Sequence, residues 1–122
     1  TKFFDKSIAG TGLTEQQAVA DGLNVVSSKQ SSASMHSMMR GRRPYTVKLS
    51  FDKASGRIIG GQIFSDSDGP VKHIDVITAA MRGKLTALDL ATLRCAGQPE
   101  LSPDPGKEPI ALAAGQAYDR MR

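Results

Sequence analysis

Tryptophan is absent, cysteine occurs once and histidine only twice in 122 residues. The lone Cys95 excludes an internal disulfide and fits a reducing, cytoplasmic setting. His36, His73 and Cys95 stand far apart, without the short spacings of a transition-metal site. Two histidines with no motif around them also give no Ser-His-Asp or Cys-His nucleophile. Cys95 follows Arg94, which could favour a thiolate, but such a cysteine is more often a small buried hydrophobe. No apolar run approaches the roughly twenty residues of a membrane span, and no secretory signal pattern is visible. Aromatic residues make up only 5% of the chain, so the core must be aliphatic. Charge of one sign is not in large excess either. A formal net charge of +4 aids solubility and is poor support for nucleic acid binding. The length suits one domain, 1–122, with a core of useful size.

What is present is concentrated in residues 45–93. Tyr45, Val47, Leu49 and Phe51 alternate with Thr46, Lys48, Ser50 and Asp52, the period of a half-buried strand. Residues 53–56 break the alternation, and Gly56 can supply the positive φ of a hairpin loop. Residues 57–65 form the returning strand. After a loop at 66–70, Val71, Ile74, Ile77 and Met81 recur at helical spacing, with Val76 and Ala80 widening the stripe. Gly83 marks the helix stop, flanked by Arg82 and Lys84. Thr86 caps a further short helix, with Asp89 as an imperfect capping-box partner.

The flanks read less regularly. Residues 2–9 suggest an opening strand with Phe3 and Phe4 prominent. Gly10-Thr-Gly12 lacks the third glycine and the βαβ setting of a phosphate loop, so a turn is expected. Thr14-Glu-Gln-Gln17 is a capping box that starts a helix over 15–20, stopping near Gly22. A second strand is predicted over 23–27. Residues 27–43 are rich in serine and methionine and read as an irregular loop ending in Arg40, Arg42 and Arg43. That basic cluster offers an alternative function, an independent anion- or nucleic-acid-binding module, although no aromatic platform accompanies it. Met35, Met38 and Met39 suit either gap filling or an adaptable contact surface. Asp66-Ser-Asp-Gly69 lacks the later glycine and distal glutamate of a calcium loop, which leaves helix-capping acids. Residues 96–109 hold four of the six prolines and predict a stiff extended segment. Pro109 opens a last helix, with Ile110, Ala114, Ala117, Tyr118 and Met121 on one stripe. Small residues at Ala111, Ala113 and Gly115 permit close approach of another helix or another subunit. The fold class expected is α+β, an antiparallel sheet with helices packed on one face.

Several strings, in order, resemble the C-terminal dimerisation domain of FAD-dependent pyridine nucleotide-disulfide oxidoreductases, in the branch of coenzyme A-disulfide reductases and NADH oxidases. They are Gly12-Leu-Thr-Glu15, Leu49-Ser-Phe-Asp52, Ser55-Gly-Arg-Ile-Ile-Gly-Gly-Gln62, His73-Ile-Asp-Val-Ile77, Leu85-Thr86, Asp89-Leu-Ala91 and Lys107-Glu-Pro109. The resemblance implies a homodimer and a longer parent enzyme whose N-terminal domains bind FAD and NAD(P)H. It implies that the redox cysteine also lies in that N-terminal part. The residues here, which show no nucleotide fingerprint, metal spacing or nucleophile–base pair, are expected to hold no catalytic, cofactor or metal site. The interface residues expected are Gly97, Leu101, Ser102, Lys107, Pro109, Ala114 and Tyr118. One departure stands out. Gly97-Gln-Pro-Glu-Leu-Ser102 occupies the place of a Tyr-Ala-Pro-Pro-Phe/Tyr-Ser run, so Gly97 and Leu101 stand where aromatics are expected, and a few extra residues precede Lys107.

Overall fold

The computed structural model describes residues 1–94 and 97–122. The expectations for Cys95 and Ala96 therefore lie outside the described residues. In chain order the elements are β1 (Lys2–Phe3), β2 (Lys6–Gly12), α1 (Glu15–Ala20), β3 (Val25–Ala33), β4 (Pro44–Asp52) and β5 (Ile58–Ser65). Then come α2 (Asp68–Val71), α3 (Ile74–Arg82), α4 (Ala87–Ala91) and α5 (Pro109–Met121). The strands form one five-stranded sheet in the order β1-β2-β5-β4-β3. All of its pairings are antiparallel.

The centre of the sheet is the β4–β5 hairpin. Tyr45, Val47, Leu49 and Phe51 are wholly buried, together with Ile63 of β5. At roughly 1.5–3 kcal/mol per large side chain removed from water, this face outweighs any single cap or turn. Helices α3 and α5 lie on it, contributing Ile77, Ala80, Ile110, Ala113, Ala114 and Ala117, and α4 adds Ala87 and Leu90 beside α5. The hairpin turns at Gly56, whose φ of +75° is the left-handed value that its position demands. The opposite sheet face is mostly open. There Ile8, Phe64, Thr46 and Ser31 share a register row, and Lys48 reaches Glu15 of α1 at 2.8 Å.

Four local readings change. The opening strand is two strands, β1 and β2, with a reversal at 4–5 where Phe4 adopts φ 54°. Gly10-Thr-Gly12 is the end of β2 rather than a turn, paired with Gln62, Gly61 and Gly60. The predicted strand 23–27 extends to Ala33, so much of the serine-rich stretch is edge strand rather than loop. Ser28 explains how a polar strand packs inward: it is buried, and its hydroxyl donates to the Ala113 carbonyl of α5. The 66–70 loop also contains a helical turn from Asp68. Gly83 ends α3 with φ −80°, and the left-handed position beyond it is taken by Lys84 at φ 56°.

Both capping boxes are complete. Thr14 accepts from the Gln17 amide while the Gln17 side chain accepts from the Thr14 amide. Thr86 and Asp89 repeat the exchange at α4. Pro109 opens α5, and the Glu108 carboxylate before it accepts from the Ala111 amide at 2.8 Å.

Candidate functional site

The titratable groups are spread through the fold rather than gathered. Among the described residues no group of three or more His, Cys, Asp or Glu side chains is close enough to hold a metal ion. None of their helices is long and apolar enough to cross a membrane. His73 sits at the start of α3, its Nδ1 2.9 Å from the hydroxyl of Tyr45. The Asp66 and Asp68 carboxylates face cations: Asp66 meets Lys6 at 2.7 Å and Asp68 meets Lys2 at 2.9 Å. The Lys2 and Ser7 hydrogen bonds hold the Asp68 carboxyl below its ordinary value.

A phosphate reading of Gly10-Thr-Gly12 fails on space. A Cβ at Gly12 would stand 2.4 Å from the Ile59 carbonyl oxygen and 2.6 Å from Met81 sulfur. The glycine admits its own neighbouring strand and helix, and no pyrophosphate fits there. Arg40, Arg42 and Arg43 are exposed on the loop between β3 and β4. Arg42 turns back to donate to the Ser37 carbonyl, and the Arg43 amide donates to Ser34 Oγ at 3.1 Å. Two of the three arginines thus take part in shaping their own loop.

A concavity lies where the proline segment passes the helices. Residues 97–106 and the ends of α4 and α5 enclose a cavity of about 630 Å³. Ala91, Leu93, Pro99, Pro103, Ala111 and Leu112 give it apolar walls. Proline supplies no N–H, so such a segment makes few bonds to itself. Two local turns are present: in one the Gln98 amide donates to Ser102 Oγ and the Ser102 amide to the Gln98 carbonyl, each at 2.9 Å, and in the other the Lys107 amide donates to the Asp104 carbonyl at 2.9 Å. Anchorage to the rest of the fold comes from the β3–β4 loop. The His36 amide donates to the Pro99 carbonyl at 2.8 Å. The Ser37 amide and hydroxyl donate to the two oxygens of Asp104 at 2.5 and 2.6 Å. These Ser37 bonds hold the Asp104 carboxyl below its ordinary value, with His36 and Lys107 adding to the effect.

The seven expected interface residues separate by exposure. Leu101 is 74% exposed, and Gly97 and Lys107 are exposed as well. Ser102 and Tyr118 are half-buried, and the Arg122 guanidinium lies 5.5 Å from the Tyr118 ring centre. Pro109 and Ala114 are buried within the chain's own core, where α5 meets the sheet. Gly97 and Ser102 line the cavity, while Lys107 faces an adjoining hollow with Arg42 and Ser31. His36, Ser37 and Asp104 were not among the residues that the sequence singles out for this region. No short-range signal joins Ser37 to Asp104, because they are 67 residues apart.

Residues 1–108 match the family model described as the pyridine nucleotide-disulphide oxidoreductase dimerisation domain. No curated protein matches. Among solved structures, the NAD-dependent persulfide reductase of A. fulgidus is 29% identical with a TM-score of 0.88, over 98% of this chain and 22% of that one. The reduced CoADR-RHD of Bacillus anthracis is 30% identical with a TM-score of 0.88, over 98% of this chain and 21% of that one. The water-forming NADH oxidase of Lactobacillus brevis shares the fold at 24% identity and a TM-score of 0.88, over 99% of this chain and 26% of that one. The chain thus spans about a fifth to a quarter of the length of these relatives.

Proposed function

Because the chain belongs to the pyridine nucleotide-disulphide oxidoreductase dimerisation-domain family, we propose that it joins two subunits of an FAD-dependent, NAD(P)H-using oxidoreductase. The observation that carries this reading is a core closed within one protomer, with large apolar side chains left outside it on the helical side. Leu88 of α4, Leu112 of α5 and Leu101 of the proline segment all remain exposed. Leu112 and the segment share one cavity. A two-fold contact would cover such a surface with its own copy. Stable interfaces of that kind bury on the order of 2,000 Å².

In this reading FAD and NAD(P)H are held by other domains of the parent chain, since the only closely spaced glycines of β2 are filled by β5 and Met81. The task of this domain is mechanical. It fixes the subunits and presents residues 97–109 beside the partner's flavin site. With Gly97 and Leu101 in place of aromatic residues, the segment offers apolar contact and backbone groups rather than ring stacking or a phenol. Leu101→Asp and Leu112→Asp test this directly. Each should weaken self-association about tenfold or more, which corresponds to about 1.4 kcal/mol, while leaving the unfolding midpoint of the protomer unchanged. Unaltered association in both variants would remove this surface from the interface.

A further inference from the structure

The proline-rich segment before α5, expected to be stiff and extended, instead folds into two turns, at 98–102 and 104–107, and the β3–β4 loop holds it at defined points. That loop is closed on itself first. The Ser34 amide donates to the Arg43 carbonyl at 2.9 Å, the Arg43 amide to Ser34 Oγ at 3.1 Å, and Arg42 to the Ser37 carbonyl. Ser34 is buried beneath it. The closed loop then turns three donors outward: the His36 amide towards Pro99, and the Ser37 amide and hydroxyl towards Asp104. The two Ser37 bonds use both oxygens of one carboxylate, so they fix its orientation as well as its position. Hydrogen bonds to an ionised acceptor are about twice as strong as neutral ones. The Asp104 side chain is 21% exposed and stands 3.6 Å from His36 Nδ1.

We propose that Asp104 is the positioning residue of the 97–108 segment, clamping it through Ser37 so that Leu101 and the cavity rim are already in place when the partner subunit arrives. The positioning role rests on the dimer reading; the clamp itself does not. The segment's own bonds close only the short turns at 98–102 and 104–107, and prolines at 99, 103 and 105 supply no N–H to tie those turns to each other or to the rest of the fold. An external clamp removes its freedom in advance and lowers the entropic cost of association.

The clamp responds to acid. The groups facing Asp104 are His36, Arg42 and Lys107, with Glu108 and Arg94 on the cavity it borders. The Ser37 bonds lower the Asp104 pKa, so its contribution is full above the ordinary carboxylate value and is lost as pH falls through the depressed one.

The experiment is amide hydrogen exchange, corrected for intrinsic rates, on the 122-residue chain and on its Asp104→Asn and Ser37→Ala variants, with sedimentation on the same samples. Asp104→Asn should raise exchange across 97–108 about tenfold while β4 and β5 stay protected. Wild-type protection of the segment should fall with acid, and the Asp104→Asn segment should be flat over the same range. Ser37→Ala, which keeps the backbone bond, should give a smaller rise. Segment exchange in Asp104→Asn within about twofold of wild type, or the same acid response in both, overturns the clamp. Should Asp104→Asn loosen β4 and β5 as well, Ser37→Ala decides: unchanged exchange at 97–108 overturns the proposal and a local rise supports it. A monomeric wild type that still shows Asp104-dependent protection upholds the clamp and removes the dimer reading.

Discussion

The hydroxyl of Tyr45 lies 2.9 Å from Nδ1 of His73, joining the first inward residue of β4 to the start of α3. The Tyr45 ring is the largest fully buried side chain of the core. Its burial and its hydrogen bond are separable. Tyr45→Phe keeps the ring and should cost about 1 kcal/mol, the usual net value of one hydrogen bond. Tyr45→Ala also empties the ring's volume and should cost about 3–5 kcal/mol. Urea denaturation measures both. A Tyr45→Phe variant as stable as wild type would show that the His73 contact adds nothing to stability.

Two glycines of the hairpin should differ sharply. At Gly56 an added Cβ would meet only Thr86 Cβ at 3.9 Å, so any cost comes from φ +75° alone. Gly56→Val should lose about 1–2 kcal/mol. At Gly60 the Cβ would stand 1.9 Å from the Leu13 carbonyl oxygen, which is backbone and cannot swing aside. Gly60→Ala should therefore cost about 3 kcal/mol or more, despite the smaller side chain. Thermal melts of the pair check the order, and the reverse order would refute it.

The α4 cap ties stability to pH. Thr86 donates from its amide and its hydroxyl to Asp89 Oδ2, at 2.8 and 3.0 Å. These bonds lower the Asp89 pKa, the backbone bond most. The Asp89 contribution is thus complete above pH about 4 and is lost as pH falls through the lower folded value. Asp89→Asn should flatten part of the acid limb of the stability curve. A remainder persists because Glu15, Asp52, Asp68 and Asp104 are lowered too. Thr86→Ala should cost about 1 kcal/mol at neutral pH. An acid limb identical in Asp89→Asn and wild type would contradict the cap's ionic character.

Much of this was legible in residue patterns because each signal was local. The alternation 45–51 defined the inward face of β4, and the Thr-x-x-Gln and Thr-x-x-Asp spacings gave two helix starts. Strand β3 was half missed because its later residues are serine, lysine and glutamine. Its placement depends on pairing with β4 and on the Ser28 bond to Ala113, neither of which has a local signature. Gly10-Thr-Gly12 misled in the other direction, since its glycines serve close packing against β5 and Met81 rather than a turn. The stripe on α5 was legible, but its partner was not. Periodicity shows that Ala114 faces something apolar, and only the tertiary contacts show that this is the chain's own sheet.

That distinction makes a prediction. Ala114 has no exposed surface, so Ala114→Glu should bury a charge and destabilise the protomer by several kcal/mol, on the order of 3 or more. Leu101→Asp should leave protomer stability within about 0.5 kcal/mol, as for an exposed site. Circular dichroism melts at low protein concentration separate the two. A stable, folded Ala114→Glu protomer would mean that α5 does not seat on the sheet as described.

The most direct measurement is sedimentation equilibrium of the 122-residue chain at micromolar concentration, in low and in high salt. Apolar contact is not screened by ions, so the mass predicted is that of a dimer in both. A monomer at both ionic strengths would contradict the proposal that this chain is itself the joint between subunits.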